Sequence, residues 1–524
     1  MDTLPASYAD TNKIQPKTSK IIHQLAFLAI AYGIIIRLAQ YISNRSLWGD
    51  EAYIALNIVN RSYLELLQPL DYDQAAPPGF LWVEKVAVQL FGNNEYSLRL
   101  FPLIAGIVSL FALYQLGKWI LSAIALPIAL ILFACLKYPL YYATEVKQYS
   151  SDVMVGLLLC LLLIPLRDRI LKNSKVFLLG FFGIVAMWFS HTAIFVLGGV
   201  ELASLITSSA QKRKSMIINR LPAYLIWLIG FGLYYFLIIS KSMRNESLQT
   251  AWGPEYPKSI FDIVWLLDSF GRFFHKPLGF GGIADGIAIF TFAIGCIILY
   301  RNNRIKLLIL TSPILATLTA TYLHKYPFRT RLILFLTPYF ILIIAEGAAF
   351  LLSRLNLAKF NQQQKRNYVG IFGVIISCFL VLLPIFQTGL FLFQPETKYE
   401  LRPVIAYIKE HQQPNDVLFG DGGGTSAQLA YYAEKYGYSK SQYVLGYNDF
   451  LKREAISDQV WSDYRRQFSQ LQNQPRVWFL FSGIGLKDKR EVIVKPRLDR
   501  IGHKIDYVGQ PGAFAYLYQL KNVD

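Results

Sequence analysis

Cysteine is scarce in this chain of 524 residues, and all four, Cys135, Cys160, Cys296 and Cys378, fall inside apolar runs. A disulfide framework or a spaced metal site draws on cysteines set in loops, so the sequence indicates neither. Charge is also thin, at 16% of residues, and acids are fewer than bases, 34 against 52, for a net charge of +18. That excess could suggest nucleic acid, but the Lys and Arg cluster in short links between apolar runs, which makes them a topology signal and leaves no nucleic-acid partner. No repeat or low-complexity segment stands out. What remains is 54% hydrophobic with a mean hydropathy of +0.34, outside the range of a water-soluble domain of this length.

A membrane crossing needs roughly 20 apolar residues to span about 30 Å. That ruler gives candidates near 21–43, 98–117, 121–141, 151–166, 176–190, 192–208, 221–240, 284–300, 307–323, 332–353 and 368–392, about eleven in all. The polar segment through Lys20, with Lys13 and Lys17, precedes no small-residue cleavage pattern, so the first span is expected to stay uncleaved. With that segment inside, the inner links carry Lys118; Arg167, Arg169, Lys172 and Lys175; Lys212, Arg213, Lys214 and Arg220; Arg301, Arg304 and Lys306; and Arg354, Lys359, Lys365 and Arg366. This satisfies the positive-inside rule. An odd number of spans then puts everything after about Phe393 outside. The expected fold class is a polytopic α-helical membrane protein with amphipathic interface helices in its first outer loop and a small C-terminal α/β domain. The expected division is 1–393 for the membrane domain and 394–524 for the outer-face domain.

In that second unit, Leu401–His411 has helical apolar spacing, Asp416–Phe419 reads as a short buried strand, and Ser426–Tyr436 is again helical. Arg476–Ser482 and Ala513–Leu520 are strand candidates. The intervening Asp421-Gly-Gly-Gly lacks the spaced glycines and Lys-Ser/Thr of a nucleotide loop, so a strand-to-helix turn is the better reading.

Four pieces with polar chemistry fall on the predicted outer side. Asp50-Glu51 open an amphipathic segment running to Val59, where acids near hydrocarbon are functional candidates, while a helix cap is the plainer account. Asp71-Tyr72-Asp73-Gln74-Ala75-Ala76-Pro77-Pro78 cannot be regular helix, so Asp71 and Asp73 must face water or line a polar cavity. Glu84-Lys85, beyond it, reads as a solvated pair. The junction Tyr141–Asp152 sets Glu145, Lys147, Tyr149 and Asp152 at the membrane edge, and a continuous helix there would put Glu145 and Asp152 on one face. His324-Lys325-Tyr326-Pro327-Phe328-Arg329-Thr330-Arg331 is basic against the charge bias, and arginine suits phosphate. His191 joins two spans on the same side, where a hydrogen-bonded interface histidine is the plainer account. An acid beside cations fits activation of an acceptor while a phosphate departs.

At these residues the chain resembles a known family. Trp48-Gly49-Asp50-Glu51-Ala52-Tyr53, the Pro69–Gly79 segment, Phe91-Gly92 with Glu95–Pro102, and Glu145-Val146-Lys147-Gln148-Tyr149-Ser150 are similar to membrane glycosyltransferases of the C-type superfamily. The nearest branch is the bacterial one related to protein O-mannosyltransferases and lipid A aminoarabinose transferases (family 39-like). The resemblance implies a polyprenyl-phosphate-sugar donor and an inverting transfer, with Asp50 as catalytic carboxylate and Glu51 beside it. It also implies Lys147 and Arg329 or Arg331 on the donor phosphate, with Asp152 as a second acidic position. Asp73, Gln74, Glu145, Tyr149, Asp152, His191 and His324 are the expected cavity residues. Where some relatives carry Glu-Lys before the proline, in one subfamily tied to metal binding, this chain has Asp73-Gln74-Ala75, so that metal site is not carried over and a divalent ion stays open. The acceptor, whether lipid, glycan or protein, is not legible. A lipid-saccharide transporter or flippase and a non-catalytic envelope assembly factor are the alternatives. Sequons at Asn44 and Asn60 beside the expected site favour a bacterial cytoplasmic membrane over an endoplasmic reticulum.

Overall fold

The computed structural model describes residues 16–355, 364–446, 471, 474–483 and 494–521. Lys13 and Lys359, counted above among the basic flanks, lie outside the described residues. The first outer loop and its flanks are α1 (Pro16–Ile42), α2 (Gly49–Asn60) and α3 (Pro78–Phe91), followed by α4 (Glu95–Ile120), α5 (Ala125–Cys135), α6 (Lys137–Tyr141) and α7 (Tyr149–Leu163). Next come α8 (Asn173–Phe189), α9 (Ala193–Thr207), α10 (Ala210–Tyr234), α11 (Ile263–Phe273), α12 (Ile283–Asn302), α13 (Arg304–Tyr322), α14 (Thr337–Leu352) and α15 (Gln364–Leu390).

Among the described residues eight helices are long and apolar enough to cross a membrane, and α5 with α6, bent by 59°, makes up to nine. The predicted segments 176–190 and 192–208 fall on the shorter apolar helices α8 and α9. The chain is a multi-pass membrane protein. The bend follows from Leu136, which is extended (φ −64°, ψ 136°) between the two helices. Small residues bring the backbones of α12 and α14 together: a Cβ on Gly295 would meet the Ile343 carbonyl oxygen at 2.0 Å. The links predicted to be inner meet at one end of the bundle, through Arg220 on Glu201 (2.5 Å) and Ser208 on Asp168 (2.6 Å). The predicted outer loops meet at the opposite end.

The C-terminal unit is a five-stranded sheet of order β2-β1-β3-β5-β4, built from β1 (Val417–Gly420), β2 (Tyr443–Leu445), β3 (Arg476–Ser482), β4 (Gly502–Gln510) and β5 (Ala513–Leu520). β1 pairs parallel with β2 and β3, whereas β5 runs antiparallel to β3 and β4. Helices α16 (Leu401–His411), α17 (Gly424–Ala433) and α18 (Lys495–Ile501) accompany it.

One local expectation changes. Helix α2 does not spend its apolar face on lipid: Leu47, Ala52, Ala55 and Ile58 share a buried core with Leu401, Val404, Leu429 and Tyr432 of the C-terminal unit. The glycine run after β1 is what permits this approach. Gly423 takes φ +58°, open to glycine, and a Cβ on Gly49 would lie 2.5 Å from the Gly424 Cα. The run is a packing surface for the start of α2.

Candidate active site

Asp50 sits in the first turn of α2, behind the extended N-cap residue Trp48, and makes no capping bond. Its Oδ2 instead meets Arg331 Nη2 at 2.7 Å, with both side chains about a quarter exposed. Two segments 281 positions apart in sequence therefore converge on one ion pair. Residues 330–336 form a 3-10 turn after the extended Arg329, and that turn directs Arg331 back over the start of α2. The Arg331 guanidinium lies 5.9 Å from the ring centroids of both Trp48 and Tyr149.

Glu51 is turned to other partners. It is fully buried and accepts from Arg99 Nε (2.9 Å) and Nη2 (2.7 Å), from the Val146 amide (2.9 Å) and from the Trp48 amide (3.3 Å). Burial opposes its ionisation, but the charge and hydrogen bonds of Arg99 outweigh that and hold the carboxyl below its usual range. These four hydrogen bonds fix the loop, so Glu51, expected beside Asp50, sits there as a structural clasp. The helix-start role anticipated for Asp50 also falls to Glu51, whose bond to the Trp48 amide closes the capping contact.

The α6 break lets residues 142–148 turn across the site instead of continuing as helix, so Glu145 and Asp152 do not share a face. Glu145 is buried and accepts from Trp48 Nε1 at 2.5 Å. Burial, reinforced by the nearby Glu51, pushes its carboxyl up to about 7. Lys147 is also buried; its Nζ donates to Gln74 Oε1 (2.7 Å), which brings the proline-bounded loop to the same place. Burial pulls Lys147 down to about 8, with Asp50 opposing that shift and Arg331 adding to it. Tyr149 packs edge-on against Tyr142 at 5.0 Å.

The other expected residues lie apart. Arg329, two positions from Arg331, is neutralised by Glu255 (2.5 Å) and Asp268 (3.0 Å). Asp73 accepts from Asn245 Nδ2 at 2.6 Å. Asp152 bonds Ser190 and leaves Oδ1 buried without a described partner. His191 is held by Tyr234 (2.8 Å), and burial keeps its imidazole neutral, down at about 4. His324 stacks on Tyr256 at 5.0 Å and contacts the Pro257 carbonyl. Glu84, expected as a solvated neighbour of Lys85, is instead fully buried with no hydrogen-bond partner among the described residues, and burial holds its carboxyl well above its usual range. Among the described residues no three His, Cys, Asp or Glu side chains gather to hold a metal ion.

Sequence reasoning missed Trp48 and Tyr399, stacked at 5.5 Å and 20°, and Arg99 and Lys276. Trp48 and Arg99 lie inside the motif segments already quoted, so an apolar and a basic neighbour of the acids could have been flagged. Tyr399 and Lys276 arrive from distant loops with no local signal.

Residues 75–239 match the family model described as dolichyl-phosphate-mannose-protein mannosyltransferase. A curated relative, "Putative mannosyltransferase YycA" of Bacillus subtilis (strain 168), is 26% identical over 211 residues, which is 39% of this chain and 29% of that protein. The chain therefore matches under a third of the length of that relative. Among solved structures, ArnT from Cupriavidus metallidurans bound to undecaprenyl phosphate aligns with a TM-score of 0.47 at 13% identity, covering 94% of this chain and 98% of that one. The apo form of that ArnT gives 0.49 at 12%, covering 93% and 97%. The Archaeoglobus fulgidus oligosaccharyltransferase, in complex with Zn and sulfate, gives 0.46 at 12%, covering 93% and 72%. With the dolichyl-phosphate-mannose-protein mannosyltransferase match set on a multi-pass helical body, this chain resembles membrane glycosyltransferases of the C type.

Proposed function

We propose that the chain is an integral-membrane glycosyltransferase that moves a sugar from a polyprenyl-phosphate donor to an acceptor at the outer face of a bacterial cytoplasmic membrane. Residues 1–393 form the transferase domain and 394–524 an outer-face domain that braces the start of α2. Asp50 takes the proton of the acceptor hydroxyl or amine as that atom attacks the anomeric carbon. The carbon–oxygen bond to phosphate breaks, its electron pair leaves with the polyprenyl phosphate, and the configuration inverts. Arg331 and Lys147 steady the charge gathering on the departing phosphate. Glu51 holds the loop through Arg99 and does not react.

The observation that carries this reading is the Asp50–Arg331 contact at 2.7 Å with Lys147 beside it. The pairing engages one guanidinium nitrogen, and the planar fork has further donors for phosphate. The testing experiment is transfer of labelled sugar from polyprenyl phosphate by the purified chain in liposomes. Transfer by the native chain that fails with Asp50→Asn supports the proposal; no transfer from any polyprenyl-phosphate sugar overturns it.

A further inference from the structure

A fully buried arginine inside a membrane crossing is costly unless its charge and donors are matched. Arg37 is such a residue: it lies in α1, within the apolar stretch Lys20–Ile42, with no exposed surface. Its hydrogen bonds among the described residues go to backbone carbonyls alone, from Nη1 to Gly33 (3.1 Å) and Ala134 (3.3 Å) and from Nη2 to Phe133 (3.2 Å). Two of these acceptors have a common origin. Leu136 is extended after α5, so the amides that would continue the helix turn away from the Phe133 and Ala134 carbonyls. Arg37 supplies donors in their place, and its cation meets the negative end of the α5 dipole. Gly33, one turn earlier, allows the approach, because a Cβ there would lie 2.9 Å from Ala134 Cβ.

The same arginine borders the stretch that crosses the active site. A Cβ on Gly106 of α4 would meet Ala143 Cβ at 2.6 Å and both Arg37 Nε and Ser150 Oγ at 3.3 Å, so these residues crowd one spot. Ser150 is tied there by donating to the Pro102 carbonyl (3.0 Å). Beyond the end of α1, the buried Arg45 takes the next part of the stretch. Its Nη1 donates to Thr144 Oγ1 (3.1 Å) and its Nη2 to the Thr144 carbonyl (2.8 Å), with the guanidinium 4.8 Å from the Tyr141 ring centroid. Residues 142–148 are therefore held by two cations of one short segment, and Lys147 is carried on that stretch.

We infer that Arg37 and Arg45 are positioning residues that seat residues 142–148 and so set where Lys147 meets the donor phosphate. Both act through the backbone they hold and neither touches substrate. The inference rests on the transferase reading, which places Lys147 on that phosphate. An uncharged side chain at position 37 leaves the Phe133 and Ala134 carbonyls without donors, and the junction that follows them is free to shift. A displacement of about 1 Å at a group serving the reacting centre is enough to cost about 10²-fold in rate.

The test compares the full native chain with Arg37→Met, Arg37→Lys and Arg45→Met in nanodiscs, by amide hydrogen exchange and by transfer of labelled sugar at varied donor. Arg37→Met should speed exchange selectively in residues 142–148, raise the donor KM about tenfold or more and leave the acceptor KM unchanged. Arg37→Lys, which keeps a cation at the carbonyls, should recover most of both losses. Arg45→Met should act in the same direction, and it decides the matter should Arg37→Met not fold. Gly106→Ala should loosen the same residues by its clash with Ala143, and adding Ala143→Gly should reverse that. Native exchange at 142–148 in these arginine variants, faster exchange spread evenly over the bundle, or a lower kcat with the donor KM unmoved would each overturn the inference. Exchange is read without turnover. Local loosening in a protein whose native form transfers no sugar would sink the transferase reading alone, whereas native transfer with unchanged exchange in Arg37→Met would sink this inference alone.

Discussion

Asp50→Asn keeps the shape of the side chain and removes its charge, so it separates chemistry from packing. A positioned general base contributes about 10²–10⁴ in rate, or about 2.7–5.5 kcal/mol of barrier, and turnover should fall by that factor. Stability should barely move. The Asp50–Arg331 pair is about a quarter exposed on both sides, and such pairs are worth about 0–1 kcal/mol. Glu51→Gln is the contrasting variant. Glu51 is fully buried and Arg99 is 3% exposed, so an uncompensated buried guanidinium would cost about 3–5 kcal/mol. Labelled-sugar transfer in liposomes and thermal unfolding of the same preparations read the two effects apart. The reasoning is refuted if Asp50→Asn keeps more than about a tenth of native turnover, or if it lowers the melting temperature as much as Glu51→Gln.

Three further outcomes follow from the geometry. Lys147, depressed to about 8, is a cation below that pH and loses its charge above it; donor binding should fall as pH rises through about 8, and Lys147→Arg should flatten that limb in a pH series of KM. A Cβ on Gly49 would sit 2.5 Å from Gly424 Cα, so Gly49→Ala should cost about 1–3 kcal/mol by overpacking and lower kcat by displacing Asp50; a thermal melt beside a transfer assay checks both. Glu84, whose carboxyl burial holds well above its usual range, should accept Glu84→Gln at under about 1 kcal/mol, since neither of its oxygens has a hydrogen-bond partner among the described residues. A melting-temperature loss matching that of Glu51→Gln would contradict it.

Hydropathy made the membrane segments legible because a crossing must be long and apolar whatever its sequence, and the basic links marked one end of the bundle. Opposite charges assigned to the same outer end also made it reasonable to bring Asp50 toward residues 324–331, and the structure places Arg331 in contact with it. What escaped depended on partners distant in sequence. Arg329 and Arg331 look interchangeable in the chain, yet Glu255 and Asp268 claim the first. The helix weighed for 141–152 is interrupted because Glu145 is extended and residues 145–148 turn. The cover over α2 could not be read from its own amphipathic pattern, which fits lipid and protein equally. In the C-terminal unit the strand candidates Arg476–Ser482 and Ala513–Leu520 match β3 and β5. The three-residue β2 was too short to read, and the exposed run His503–Ile505 hid the apolar alternation of β4.

The central claim is that Arg331, and not its neighbour Arg329, meets the donor phosphate beside Asp50. Its direct measure is the Kd of polyprenyl phosphate for the native chain, Arg331→Gln and Arg329→Gln in nanodiscs. Loss of a charge-assisted contact worth about 1.5–3 kcal/mol predicts roughly 10- to 150-fold weaker binding for Arg331→Gln. Arg329→Gln should bind like the native chain while melting lower. Native affinity in Arg331→Gln, or an equal loss in both variants, would contradict the account.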